Sequence, residues 1–311
     1  TWSSKHIVDM LCPKTEKSGT VVQMDGLVEG YPLGVTASWK PTQEGSGDPS
    51  PENIRPIQGR DSITIGRAGE NLLNPALNAY ITYTPYGLTI TYIGDNRVRL
   101  KGTYTAIGGS FVILDTNQKL ITGKGLRVTG FTVEGTEQRY RLYGLRSKDE
   151  TVIAMTAEFN AGDVIDLTIA IVVSQETPSA YIPYTGQNIA LTLPSTVYGG
   201  EVNAEGKGRE TWGYIDNYAG ETLPAEWISD RAAYAEGSTP LNGAQVAYKL
   251  DNPKPFVATG GAAIPALSGT NTVLTDADSV TATGRADPIQ TIAKLNDRIA
   301  ALEAAATNIT E

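Results

Sequence analysis

The fold class of this chain is decided by the segment Val164-Ile165-Asp166-Leu167-Thr168-Ile169-Ala170-Ile171-Val172-Val173. Every second residue from Ile165 to Val173 is apolar, which makes one continuous apolar file. Alternate side chains of a strand share a face, whereas a helix would need apolar residues three or four positions apart. The segment therefore predicts a long β-strand with one face in the core.

Shorter segments of the same kind precede this strand. Residues 88–92 alternate between apolar and threonine side chains, Gly94-Asp95-Asn96 signals a tight turn, and residues 97–101 alternate between basic and apolar side chains. Residues 111–114 predict a strand buried on both faces, and residues 126–133 and 139–145 alternate again. This spacing indicates a β-sandwich over 60–190, a length that suits a jelly roll of roughly eight strands.

The flanking regions are organised differently. Residues 1–40 predict a strand over 33–39 with a second strand before it, and we expect this section to dock on the next domain or on a partner protein. Residues 41–59 contain four prolines and three glycines, which argue against regular structure and favour a connector. Residues 191–286 hold short β segments that predict a second, smaller β domain.

Residues 287–311 predict a helix. Asp287 can cap it, and Pro288 occupies the first helical position. The apolar residues that follow are spaced three and four apart, as in a coiled-coil seam, although a helix docked on its own domain has similar spacing. Isoleucine at a and leucine at d lean to dimers, and a trimer stays open because globular domains can override that preference. The predicted seam consists of Ile292, Leu295, Ile299, Leu302, Ala306 and Ile309.

Composition excludes several functional classes. One histidine, His6, and one cysteine, Cys12, cannot supply a multi-histidine metal site, a cysteine-rich zinc site or an intrachain disulfide. A net charge of -9 disfavours nucleic-acid binding, and no apolar run is long enough to span a membrane. The first residues lack the apolar run of a secretory signal, so we expect synthesis in a cytoplasm, with release by lysis.

Aromatic and acidic residues cluster in the second β domain. Aromatic rings stack on sugars and carboxylates accept hydrogen bonds from sugar hydroxyls, so this cluster is a candidate glycan-binding site. A glycosidase would need two converging acids, drawn here from Glu205, Glu210, Asp216, Glu221, Glu226 and Asp230. Sequence does not show such convergence, and we expect no enzymatic activity. The candidate glycan-binding residues are Trp212, Tyr214, Asp216, Tyr218 and Trp227.

We expect no cofactor and no dedicated metal site. Asp276-Ala277-Asp278 and residues 163–166 could offer oxygens to calcium, but neither matches an EF-hand loop, and turn capping explains them better. The Gly-Gly pairs at 108–109 and 260–261 lack the Lys-Ser/Thr ending of a phosphate-binding loop.

The connector also contains an identifying phrase. Gly45-Ser46-Gly47-Asp48-Pro49-Ser50-Pro51-Glu52-Asn53-Ile54-Arg55-Pro56-Ile57-Gln58-Gly59 resembles a signature of minor structural and tail proteins of tailed bacteriophages and prophages, notably of Gram-positive hosts. The resemblance covers roughly residues 18–287 and supplies no catalytic residues. In the last of its phrases, Leu274 stands where tryptophan is usual. The other phrases are Arg67-Ala68-Gly69-Glu70-Asn71-Leu72, Tyr181-Ile182-Pro183-Tyr184-Thr185-Gly186, Thr196-Val197-Tyr198-Gly199-Gly200, Trp227-Ile228-Ser229-Asp230-Arg231 and Gly269-Thr270-Asn271-Thr272-Val273-Leu274-Thr275-Asp276.

The resemblance implies a virion structural protein, expected in the tail or baseplate as a fibre or receptor-binding component, with residues 1–40 docking it to the virion. Its expected partners are other virion proteins, further copies of itself and host cell-surface polysaccharide. Two alternatives stay open within the virion: a head fibre or capsid decoration protein, and a polysaccharide-degrading tail spike. A carbohydrate-binding module of a non-viral surface protein is a third, which the absent signal peptide disfavours.

Overall fold

The structure is a computed structural model that describes residues 14–47, 53–80, 85–105, 114–116, 127–134, 145–147, 152–154, 160–174, 181–220, 222–230 and 243–307. These residues are mainly β, in curled antiparallel sheets of a sandwich-like fold, with one long helix. The chain divides into two compact units. Unit 1 comprises 1–65, 188–269 and 275–311, and unit 2 comprises 66–187 and 270–274.

The strands are, in chain order, β1 (Lys14–Gly19), β2 (Val21–Met24), β3 (Pro32–Trp39), β4 (Thr42–Gln43), β5 (Ile57–Gln58), β6 (Arg60–Ala68), β7 (Asn78–Tyr80), β8 (Leu88–Gly94), β9 (Arg97–Thr103), β10 (Leu114–Thr116), β11 (Arg127–Glu134), β12 (Leu145–Ser147), β13 (Val152–Ala154), β14 (Val164–Ser174), β15 (Gly186–Val197), β16 (Gly199–Asn203), β17 (Lys207–Tyr218), β18 (Trp227–Ser229), β19 (Ala244–Val257), β20 (Ile264–Pro265), β21 (Asn271–Thr275) and β22 (Ser279–Arg285). Two short 3-10 helices are Pro75–Leu77 and Pro85–Gly87, and the helix α1 is Pro288–Thr307.

The main sheet of unit 1 has eight strands, seven of them in the order β1-β22-β3-β16-β17-β19-β18, while β20 pairs with β3. Strand β3 lies inside this sheet, with β16 on one side and β22 on the other. Its side chains at Leu33, Val35, Ala37 and Trp39 are buried, as the alternation predicts. Residues 14–40 thus pack with strands from the region predicted as the second β domain and belong to unit 1, while docking of residues 1–40 on a partner stays a prediction.

Unit 2 contains two four-stranded sheets, β11-β14-β9-β8 and β13-β12-β10-β7. Strand β14 lies antiparallel between β11 and β9, and its side chains from Leu167 to Ser174 are buried, which confirms the predicted strand. The predicted hairpin is also confirmed, because β8 and β9 pair on either side of Asp95 and Asn96. One pair, β10 with β12, is parallel. Predicted strand residues 111–113, 126 and 139–144 lie outside the described part of the chain.

The connector is more regular than its composition predicts. Strands β4 and β5 pair with each other, so the described residues on either side of 48–52 are held together within unit 1. The guanidinium of Arg55 donates to the carbonyl oxygens of Glu44, Gly45 and Gly47. One side chain thus satisfies three turn carbonyls, so residues 44–47 have a regular hydrogen-bonded arrangement.

Helix α1 begins as the sequence predicts. The Asp287 carboxylate accepts hydrogen bonds from the backbone amides of Ile289, at 2.9 Å, and Gln290, at 3.4 Å. Along the predicted seam, the side chains of Ile292, Ile299 and Leu302 are exposed. Ile309 lies outside the described residues, and the side chains of Leu295 and Ala306 are not described.

Candidate functional site

The five predicted glycan-binding residues lie on β17 and β18 but do not converge. Ile215 and Tyr218 are three positions apart on β17. Their partners on β19, Val246 and Ala244, are only two positions apart, so β17 contains one extra residue here. This β-bulge contains Asn217, whose φ of 56° is left-handed. The extra residue inverts the alternation, so Tyr214 and Tyr218 lie on opposite faces of the sheet.

Trp212 lies on the Tyr214 face and is buried, with 5% of its surface exposed. It packs with Ile57 and Ala247, and a Cβ on Gly199 would lie 2.5 Å from its indole ring. The connector residue Ile57 thus helps to cover the ring that was predicted to stack on a sugar. Trp212 belongs to the core of unit 1, and its predicted role in binding is wrong.

Tyr218 and Trp227 lie on the other face. Tyr218 is buried with Ala244 and Val246, and Trp227 packs partly buried against this cluster. The prediction that these two aromatic residues join Tyr214 in one site is therefore wrong. Tyr218 exposes 2% of its surface, too little for a ligand contact.

Tyr214 has a partner that the sequence did not identify. Its ring stacks on that of Tyr198, with the centroids 3.8 Å apart and the planes 6° from parallel. Both side chains are partly exposed, while Asp216, two residues from Tyr214, is exposed. We call Tyr198, Tyr214 and Asp216 the tyrosine site. The only sequence signal for Tyr198 is its place in the phrase at 196–200.

The electrostatics of the tyrosine site keep its phenol protonated. Burial raises the pKa of Tyr214 far above its usual value, and the hydrogen bond with Tyr198 and the negative charges of Asp216 and Asp230 raise it further. Tyr214 therefore remains a hydrogen-bond donor at neutral pH, while Asp216 offers acceptor oxygens. One ring face of each tyrosine is used by the stack, so the site suits edge-on hydrogen bonding with a polyhydroxyl ligand.

In an absorbance titration of the phenolate, we expect Tyr214 to ionise at a higher pH than an ordinary tyrosine. The difference between the native protein and Tyr214→Phe should show a phenol that titrates above the usual tyrosine pKa of about 10. A phenol with a raised folded-state pKa favours the folded state below the unfolded pKa, and this contribution falls as pH rises beyond it. Tyr198→Phe should return the Tyr214 transition toward its usual range, with circular dichroism checking that the fold persists. A Tyr214 transition at the ordinary pKa would contradict the stacked, hydrogen-bonded pair.

The acids proposed for a glycosidase have other contacts. The Glu226 carboxylate lies 2.8 Å from Lys249 Nζ and 3.9 Å from Lys40 Nζ, and the hydrogen bond with Lys249 holds its pKa below the usual range. A general acid needs a raised pKa, so Glu226 is poorly suited to that role. Asp230 is buried and accepts the backbone N–H of Gln245. Glu221 lies outside the described residues.

The candidate calcium ligands act as caps and ion-pair partners. Asp276 accepts the amide of Thr64 at 2.9 Å, and Asp278 accepts that of Lys40 at 2.8 Å. Asp163 accepts the amide of Asn160, and Asp166 is held by Arg99 and Lys101. Over the ranges that the structure describes, no group of three His, Cys, Asp or Glu side chains could hold a metal ion. His6 and Cys12 are outside those ranges.

Two of the phrases that carry the resemblance meet within unit 2. The amide of Gly69 donates to Thr185 O at 2.8 Å, and Asn71 Nδ2 donates to Ile182 O at 2.9 Å. Asn71 Oδ1 accepts the amides of Leu73 and Val173, at 3.0 and 3.3 Å. Fully buried, Asn71 thus links the phrase at 67–72 to the phrase at 181–186 and to β14.

Three further phrases meet within unit 1. The amide of Arg55, in the connector phrase, donates to Asp230 O at 3.1 Å. Gln43, at the base of the same loop, donates to Ser229 O. A Cβ on Gly59 would lie 2.5 Å from Thr196 and 3.2 Å from Val197, so the connector also abuts the phrase at 196–200. The described residues of the phrases at 45–59, 196–200 and 227–231 are therefore parts of one packed region.

None of the helices in the described ranges is both long and apolar enough to cross a membrane. Comparison with protein-family models, with curated proteins and with solved structures finds no match to this chain.

Proposed function

We propose that this chain is a bacteriophage virion structural protein, placed in the tail or baseplate as a fibre or receptor-binding component that contacts host-surface glycans. The observation that carries the proposal is the meeting of the resemblance phrases in space. The phrase at 67–72 joins that at 181–186, and the phrase at 45–59 joins those at 196–200 and 227–231. Phrases more than a hundred residues apart that share contacts belong to one fold, which supports treating them together as one signature.

The architecture is consistent with a protein that presents surfaces. The two four-stranded sheets of unit 2 together hold eight described strands, the number that a jelly roll needs, and we retain that topology as a proposal although β10 and β12 run parallel. The exposed seam of α1 supports a coiled coil that joins copies into a dimer or trimer. Several weak glycan sites on one assembly would attach strongly through effective concentration.

The tyrosine site is the proposed glycan contact in unit 1. It retains Tyr214 and Asp216 from the predicted residues and adds Tyr198, while Trp212, Tyr218 and Trp227 act in packing. Its phenol donor and carboxylate acceptors match the hydroxyls of a sugar.

Immunogold electron microscopy tests the virion assignment. Antibodies against the purified full chain should label the tail end of phage particles from a lysate of the lysogenic host. Labelling distributed over the capsid would instead identify a head fibre or decoration protein, and particles without label would contradict a virion role. Pre-immune serum is the control.

A sedimentation assay with purified host cell wall tests the binding role. The native chain should sediment with the wall, and the double variant Tyr198→Ala/Tyr214→Ala should bind at least tenfold more weakly. Release of soluble oligosaccharides would instead support the tail-spike alternative, and absence of binding by the native chain would contradict the receptor role.

A further inference from the structure

The β8–β9 hairpin of unit 2 ends in a rigid tip. Asp95 and Asn96 both have left-handed φ angles, 49° and 58°, as a two-residue hairpin turn requires. Asn96 is fully buried, and its Nδ2 donates to Leu73 O at 2.6 Å. The backbone of Asp95 is fixed from the other side, because Tyr181 Oη donates to Asp95 O at 2.6 Å.

Four side chains with complementary chemistry gather at this tip, and we call Tyr92, Asp95, Arg97 and Tyr181 the hairpin-tip cluster. Tyr181 Oη contacts Asp95 O at 2.6 Å, and Arg97 Nη2 lies 3.9 Å from Asp95 Oδ2, so these three residues share one small region. Burial raises the pKa of Tyr181, Asp95 and Tyr92 raise it further, and Arg97 lowers it, which agrees with this placement. Tyr92 is 39% exposed, and the side chain of Asp95 is 68% exposed. The cluster therefore offers aromatic surface and both signs of charge to solvent.

Arg97 is incompletely paired. Its Nη2 lies 3.9 Å from Asp95 Oδ2, too far for a hydrogen bond, and its Nε is shielded from water without an acceptor among the described residues. Arg99, two positions along the same strand, is different, because its Nε and Nη2 donate to the two Asp166 oxygens at 2.9 and 3.1 Å. Arg99 is thus a structural cation, whereas Arg97 makes a longer ion pair with Asp95 and its side chain is 34% exposed, so a ligand would meet its terminal Nη atoms and not the buried Nε.

We propose that the hairpin-tip cluster binds an acidic glycan, with Arg97 receiving the carboxylate or phosphate and the rings of Tyr92 and Tyr181 contacting the sugar. A guanidinium fork matches the geometry of both anions, and tyrosine rings pack on the CH faces of sugars. The inference rests on the proposed function only for the source of the glycan, the host surface. It adds to the tyrosine site of unit 1 a second site with a different preference, because this one requires charge.

Biolayer interferometry with the immobilised full chain tests the proposal. The probes are polygalacturonate, which carries carboxylates, poly(glycerol phosphate), which carries phosphates, and uncharged dextran. We expect one of the two anionic polymers to bind at least tenfold more tightly than dextran, and the identity of that polymer distinguishes carboxylate from phosphate. Arg97→Gln should weaken this binding at least tenfold, and Tyr92→Ala several-fold.

Arg99→Gln is the matched control, since it removes the same charge from the same strand. Its affinity should stay within about threefold of the native value, because Asp166 already occupies the Arg99 guanidinium. Equal losses in the two arginine variants, or no binding of either anionic polymer by the native chain, would overturn the proposal. If Arg97→Gln melts early, Arg97→Lys replaces it and should still lose affinity through the missing fork. Polymer binding without label on virions would contradict the proposed function and leave this inference standing.

Discussion

Replacing Ile299 and Leu302 together by aspartate is expected to convert the assembled chain into monomers. In the single chain these side chains are 52% and 62% exposed, and Ile292 on the same seam is 59% exposed. Burying one isoleucine or leucine contributes about 1.5–3 kcal/mol, so the loss of two per chain weakens association by about a hundredfold or more. The introduced carboxylates also repel one another across the seam.

Analytical ultracentrifugation of the full chain measures this effect at several concentrations. The matched control is Ala293→Asp/Ala300→Asp, which adds the same charges to the same helix at exposed positions one residue beyond a seam position. The control should keep the native oligomer mass. A native chain that sediments as a monomer, or an unchanged mass in the Ile299/Leu302 variant, would contradict the coiled coil.

Asn71→Ala is expected to produce the second large effect, a destabilisation of unit 2 by about 3 kcal/mol or more. The substitution leaves the amides of Leu73 and Val173 and the carbonyl of Ile182 without their partner in a fully buried environment. Each unsatisfied buried group costs about 1–3 kcal/mol, since water cannot replace the lost bond.

Thermal unfolding followed by far-UV circular dichroism measures the loss. For a unit of this size, it corresponds to a fall in Tm of roughly 10 °C. Asn74→Ala is the control, because its carboxamide oxygen accepts the exposed amide of Ala76, and water can replace that bond. The two variants should therefore differ by several degrees, and equal melting temperatures would show that the Asn71 network does not stabilise unit 2.

Local patterns predicted the elements whose geometry is local. The alternation in β14, the turn at Asp95 and Asn96, and the cap at Asp287 each depend on neighbouring residues, and each is found in the structure. The apolar seam of α1 was predicted from residue spacing alone. The second helix that would pack on this seam stays a prediction, because the sequence of one chain does not show whether copies associate.

Long-range pairing was outside the reach of these patterns. Nothing near β3 indicates that its neighbours are β16 and β22, more than 150 residues later. Composition alone predicted that the connector is an irregular linker. It could not show that β4 pairs with β5 or that Arg55 donates to turn carbonyls, because these contacts form only when the two ends of the segment meet. Nothing in the sequence pattern assigns residues 270–274 to unit 2.

The candidate site was predicted in part, for a specific physical reason. Strict alternation predicts that Tyr214 and Tyr218 lie on the same face of the sheet. The bulge at Asn217 adds one residue, so the two tyrosines lie on opposite faces. Asparagine accepts left-handed angles more readily than most residues, which is the one available hint of the bulge. Tyr198 was missed because its stacking partner lies sixteen positions later, across the sheet.

The interior position of β3 has a consequence for synthesis on the ribosome. Ser38 shares a hydrogen bond with Ser279, 241 positions later, so β3 leaves the ribosome long before its last neighbour exists. At about 5–20 residues per second, that delay is roughly 10–50 seconds. All of unit 2 is made within this interval, and its residues 66–187 are made before β16, one of the two strands that flank β3, exists. The first strands of unit 1 must therefore wait unfolded while unit 2 is synthesised, which makes the nascent chain a natural client for chaperones.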